Sequence, residues 1–246
     1  VDSGLAKDTA LDWLDRAVTA NPKSSEALAQ RARFRRVVPR DREASLADLD
    51  AAKALGFDDP VVQLFVADEW VEWGEFDKAA DALAALARVD PASLEGHDLD
   101  LRALEYAVWG TRAKMALRDP DGWHGLAQLG RGRLPSGELA DQALAAIEGN
   151  FRRRFLPTAV ELYLAAGRVA DAERCLSEYQ AARAVAKSTG PPSREELVLT
   201  ARVANAAGRR FEAVNLLLGS GQSIEADPSA LRILSEAFFA TGQNGR

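Results

Sequence analysis

The chain is poor in the side chains that most often carry chemistry. Of 246 residues, one is cysteine (Cys175) and two are histidine (His97 and His124). A lone cysteine forbids an intrachain disulfide, so cysteine usage says nothing about the redox state of the compartment. Neither histidine has a cysteine, histidine or carboxylate neighbour at metal-ligand spacing, and Asp98 and Asp100 beside His97 read as the polar start of a helix. No serine lies in a nucleophile-elbow pattern. The glycine run at 130–137 lacks the Lys-Ser/Thr ending and preceding strand of a phosphate loop, and the run at 219–223 reads as a connector. Cys175, between Ala172 and Leu176, reads as a small core residue rather than a nucleophile. No catalytic, cofactor-binding or metal-ligating residue is therefore expected, and the chain is not expected to be an enzyme.

Other absences narrow the class further. Aromatics are 7% and runs of Val, Ile and Thr are rare, which argues against a sheet protein. No stretch of eighteen apolar residues offers a membrane span. The chain begins at Val1, without an initiator methionine or a signal-like segment, and this start reads as a cut from something longer. Net charge is −6, a poor beginning for nucleic-acid binding. The charge is uneven: residues 1–123 hold 16 Lys and Arg against 24 Asp and Glu, and residues 124–246 hold 15 against 13. The Ala- and Arg-rich, Lys-poor composition suggests a GC-rich bacterial genome. The compartment is left open.

What is abundant is helix former, punctuated at intervals. Residues 60–91 show the grammar: an apolar segment with helical spacing to Trp73, a break at Gly74, a second helix over 76–89, then Asp90-Pro91. A short glycine turn forces the two helices to face each other, because neither can bury its stripe alone. The grammar recurs. Residues 8–22 read as a second helix ending in Asn21-Pro22, residues 25–38 and 42–55 as a pair, and residues 157–187, 193–218 and 228–241 as further units. Gly74, Gly110, Gly167, Gly208 and Gly242 mark successive turns, spaced 36, 57, 41 and 34 residues apart. Each is expected where a helix ends and the chain needs a left-handed residue. Each Asp-Pro or Asn-Pro is expected to start the next helix.

Within this grammar a fixed spacing recurs: Ala67, Gly74, Ala79, Leu83 and Pro91 in one unit, Gly167, Ala172 and Leu176 in another, and Ala201, Gly208, Ala213 and Leu217 in a third. Residues 8–22 supply Ala10, Leu14, Ala17 and Pro22. The pattern resembles the tetratricopeptide repeat family. The resemblance covers most of the chain and is loose over 92–156, where repeats are expected to be irregular. It implies an all-α fold, a right-handed α-solenoid of antiparallel helix pairs, forming a single domain over 1–246 that is a segment of a longer array. It also implies a protein or peptide partner on the concave face lined by first helices. Counting along those helices places Arg33, Arg36, Asp68, Val71, Glu161, Leu164, Arg202, Asn205, Glu236 and Phe239 on that side. The lining lacks the repeated Lys and Asn set with which some members hold a C-terminal carboxylate.

Charge clusters remain. Arg31, Arg33, Arg35, Arg36, Arg40 and Arg42 crowd one segment, and Arg152, Arg153 and Arg154 form a second cluster between Phe151 and Phe155. An acidic block follows the first, from Asp58 and Asp59 through Asp68, Glu69, Glu72, Glu75, Asp77 and Asp81. Ion pairs between repeats and an arginine-lined partner site are both open readings. The last helix carries Leu231, Leu234, Phe238 and Phe239, one side of which would remain wet. This favours an alternative function in assembly, by self-association through the C-terminal end.

Overall fold

The computed structural model describes residues 3–55, 59–86, 101–118, 136–185, 191–219 and 228–240. The described residues form twelve helices and no strand. They are α1 (Ser3–Ala20), α2 (Ser25–Val37), α3 (Arg42–Ala54), α4 (Pro60–Trp73), α5 (Phe76–Leu86), α6 (Leu101–Arg118), α7 (Ser136–Ala146), α8 (Gly149–Ala165), α9 (Val169–Val185), α10 (Arg194–Ala206), α11 (Arg210–Gly219) and α12 (Pro228–Ala240). The chain divides into two compact units, Val1–Met115 and Ala116–Arg246, with the division inside the last turn of α6.

Local chemistry sets the helix starts. Ser24, Asp41, Asp59 and Ser193 are N-caps whose side chains accept from the backbone N–H of Ala27, Ala44, Val61 and Glu196 at 3.1, 3.0, 2.7 and 3.2 Å. Pro60 stands at the first position of α4, where its missing N–H costs nothing. Pro228 likewise opens α12. After Asn21-Pro22 the helix starts only at Ser25, because Ser24 takes the cap. Asp90-Pro91, Asp119-Pro120, Gly130, Gly132, Gly242 and both histidines lie outside the described residues.

Three helix ends share one closure. After α4, Gly74 N–H donates to Val71 O and Glu75 N–H to Trp70 O, at 3.1 and 2.9 Å; Gly167 with Arg168, and Gly208 with Arg209, repeat the pattern. The three glycines have φ of 79°, 69° and 79°, a region costly for any residue with a Cβ. Each closure turns the chain into a hairpin: α4 with α5, α8 with α9, and α10 with α11. Five residues after each glycine stands a buried alanine (Ala79, Ala172, Ala213), and nine after it a buried leucine (Leu83, Leu176, Leu217). Seven before it stand Ala67, Val160 and Ala201, all fully buried. The same positions thus meet the core in both units.

Gly110 departs from this rule. It lies in the middle of α6 with no positive φ, since apolar and helix-forming neighbours on both sides carry the helix through it. Pro157 also departs: it lies inside α8, which begins at Gly149, and it removes one donor from that helix. The α2–α3 turn has no glycine. Arg40 takes its place at φ 55°, the non-glycine residue with positive φ among those described.

Within the first unit α2 packs on α1, α3 and α4, and α4 packs on α3 and α5. Within the second unit α8 packs on α7, α9 and α10, and α10 packs on α9, α11 and α12. α2, α8 and α10 therefore each touch the helix before them, their own hairpin partner, and the next first helix. No described helix is long and apolar enough to cross a membrane.

A candidate protein-binding face

The two charge clusters of the first unit turn out to be halves of one set. Arg36 makes a forked pair with Glu69, Nε to Oε2 at 2.6 Å and Nη2 to Oε1 at 3.1 Å, and Glu69 is only 3% exposed at its side chain. Arg33 lies 3.9 Å from the same carboxylate and sits over the Phe65 ring at 5.5 Å. Arg42 donates to Glu75 at 2.6 Å. Behind them, Arg31 grips Asp48 with Nε and Nη2 at 2.9 and 2.7 Å and reaches Asp15 at 2.8 Å, while Arg35 adds a third bond to Asp48 at 2.8 Å. The Arg31 and Arg36 guanidiniums are held above their ordinary pKa, chiefly by the Asp48 and Glu69 hydrogen bonds. Both pairs tie one helix to another, so most of this arginine cluster is spent on joining helices.

Of the ten residues expected on the partner face, Arg36, Asp68, Glu161, Arg202, Asn205 and Glu236 make a ladder of contacts between helices. In the first unit Arg36 on α2 reaches Glu69 on α4, and Asp68 on α4 pairs with Lys114 on α6 at 2.5 Å. In the second unit Glu161 on α8 accepts from Arg202 on α10, and Asn205 on α10 donates to Glu236 on α12 at 3.0 Å. Val71 is a correction: it is wholly buried and lines no accessible face, because α4 buries residues on nearly all sides. Arg36 is a second correction in part, since its fork is committed to Glu69 rather than free for a partner. Phe239 is 77% exposed.

In the second unit the ladder is not closed. Between α8, α10 and α12 lies a cleft of about 260 Å³, lined among others by Leu164, Arg202, Asn205, Arg232, Ile233 and Glu236. Four of these were expected from the repeat count. Arg232 and Ile233 were not; the signal for Arg232 was its place one helical turn before Glu236. The Oδ1 of Asn205 is buried with no hydrogen-bond donor. Such an orphan acceptor costs free energy until a donor arrives.

A second cleft, of about 250 Å³, opens among α7, α8 and α9 and includes Asp141, Arg152, Tyr163, Arg174, Cys175 and Glu178. Its polar groups are already satisfied. Tyr163 OH donates to Asp141 at 2.8 Å, and Arg168 pairs with both Asp141 and Asp171 at 2.6 Å while lying 4.9 Å over the Tyr163 ring. The Arg168 guanidinium holds the Asp141 carboxyl below its usual range. Burial, reinforced by Asp141, raises the Tyr163 phenol. The Arg168 chain fits because residue 137 is glycine: a Cβ there would stand 2.7 Å from Arg168 Cδ. Cys175 is buried, its Sγ 3.5 Å from Leu156 O, and burial pushes the thiol up to about 11. Of the second arginine cluster, Arg152 forks onto Glu178 at 3.1 and 3.3 Å and Arg153 bonds Asn150. Arg154 sits 6.0 Å over Phe151. Among the described residues no group of three His, Cys, Asp or Glu is placed to hold a metal ion.

No family model, curated protein or solved structure matches this chain. The functional reading therefore rests on its own residues.

Proposed function

We propose that this chain is a non-enzymatic scaffold of tetratricopeptide-like helix pairs, whose first-helix face holds an extended peptide or a segment of a partner protein. The observation that carries the reading is the α8–α10–α12 cleft, lined by Arg202, Asn205, Arg232 and Glu236. At about 260 Å³ the cleft is smaller than the roughly 300–1,000 Å³ typical of small-molecule sites. It suits one or two residues of a chain lying across the helices. The Arg202 and Arg232 guanidiniums favour acidic side chains on that chain. The right-handed solenoid arrangement belongs to this proposal as well.

The test is selection from a random peptide library displayed on phage, followed by titration of the winners. Asn205→Ala and Arg202→Ala are expected to weaken the selected peptides about tenfold, the worth of one hydrogen bond to a charged or orphaned group. Unchanged affinity in both variants would sink the proposal. In the first unit the informative charge reversal is Arg33→Glu alone, because Arg36→Glu would also break the fork to Glu69.

A second reading, assembly through the C-terminal helix, is favoured by the exposure of Leu231 and Phe239 on α12, 47% and 77%.

A further inference from the structure

The exposed side of α12 has a pattern that suits a copy of itself. Ala230 and Ile233 are buried and Leu234 packs against the same cluster, which fixes the inward side of this helix. The outward side runs through Leu231, Arg232, Ser235, Glu236 and Phe239. Ser235 is small, and its hydroxyl is satisfied within the helix by Arg232 O at 2.9 Å. Leu231 and Phe239 stand four residues to either side of it. Arg232 and Glu236 share one flank, with side chains 65% and 52% exposed and a separation of 3.6 Å, too long for a good hydrogen bond. The other carboxylate oxygen of Glu236 takes the Asn205 amide.

We propose that α12 is the dimerisation surface for a second copy of this chain, the two helices pairing antiparallel about a two-fold axis beside Ser235. A two-fold interface must be self-complementary, each residue meeting its counterpart's partner. This helix meets that condition twice. About Ser235, Leu231 of one copy lies level with Phe239 of the other, so each exposed apolar side chain covers one of its opposite number. On the shared flank, Arg232 of one copy comes within two residues, about 3 Å along the axis, of Glu236 of the other. The pair forms twice by symmetry. Parallel pairing would instead place the charged flanks of the two copies on opposite sides of the interface, so only the antiparallel arrangement brings Arg232 to Glu236. The inference deepens the assembly reading and shares Arg232 and Glu236 with the peptide cleft, whereas Asn205 and Arg202 belong to the cleft alone and Phe239 to the dimer alone, so the variants separate the two.

Two helices of thirteen residues bury an area at the low end for specific interfaces, so association is expected on the order of 100 µM. The experiment is sedimentation equilibrium of the whole chain from a few micromolar to about 1 mM. The mass is expected to rise from 26.5 kDa toward twice that and stop there. Arg232→Glu should weaken the dimer at least tenfold, and Arg232→Glu with Glu236→Arg should restore it. Phe239→Ser, an exposed change that leaves the core untouched, should weaken it at least tenfold, with helix content by circular dichroism unchanged. A mass constant at 26.5 kDa, growth beyond the dimer, indifference to Arg232→Glu, or failure of the double swap to restore association would each overturn the proposal.

Discussion

The two units use the same ladder of helix contacts, and its first rung, Arg36–Glu69 in one and Arg202–Glu161 in the other, is buried to different depths. In the first, Glu69 is nearly dry at 3% side-chain exposure, and so is Asp48 behind it on α3 at 6%. In the second, Arg202 and Glu161 are 25% and 26% exposed, and the rung beyond them borders an open cleft. Depth changes what a pair is for. A buried charge is costly without its partner, so the first unit's arginines hold its helices in register and have little left for an external ligand. A wet pair contributes little to stability and can be remade around an incoming chain. Function on this reading belongs to the second unit, and the first is scaffold.

The largest test of that contrast is Asp48→Ala. It removes the acceptor of both Arg31 and Arg35 in a place that water reaches poorly, and is expected to cost about 3–5 kcal/mol. Urea unfolding followed by tryptophan fluorescence suits the measurement, because four of the five tryptophans, Trp13, Trp70, Trp73 and Trp109, lie in the first unit. A loss under 1 kcal/mol would erase the distinction between the units. Next is Gly137→Ala in the second unit, where the new methyl collides with Arg168 and loosens its hold on Asp141. Overpacking of this kind costs about 1–3 kcal/mol, read from the helical circular dichroism in urea. Arg40→Gly has the opposite sign: relieving a left-handed residue with a Cβ is expected to stabilise the first unit by about 1 kcal/mol. An unchanged midpoint would mean that turn relaxes by itself. Glu161→Ala should cost about 0–1 kcal/mol, and a cost as large as that of Asp48→Ala would show the second ladder to be structural too.

The smallest effect concerns Cys175. Its folded-state pKa, about 11, is raised from an ordinary value near 9, so the neutral thiol stabilises the fold below pH 9. That contribution is lost as pH rises through 11. The wild type should therefore lose stability between pH 9 and 11 relative to Cys175→Ala. Parallel curves would refute the buried position of the thiol.

How much of this could be read in advance depends on whether the cause was local. The closures at Gly74, Gly167 and Gly208 were legible, because a left-handed helix end has a strong residue preference. The N-caps and Pro60 were legible for the same reason. Gly110 was misread because a glycine in a row of turn glycines looks like another turn. Sequence spacing alone does not reveal that α6 runs through it. The unit read over 157–187 also started late, since its first helix, α8, begins at Gly149 and runs through Pro157. Of the face residues, Leu164, Arg202, Asn205 and Glu236 came together at one cleft, whereas Val71 went to the core. The repeat count gives a residue's direction on an ideal helix, but not what covers that direction.

The pairing of the arginine cluster with the acidic block was visible only as two charged runs. Arg36 and Glu69 stand 33 residues apart, one repeat, and nothing local distinguishes such a pair from two solvated charges. By itself the sequence determined where helices begin, where they end, and which stripes must be covered, since capping, left-handed turns and apolar periodicity act within a few residues. The tertiary structure alone decided which charges are buried, which acceptor is orphaned and where the face stays open. Those outcomes depend on what solvent is excluded by helices distant in the chain.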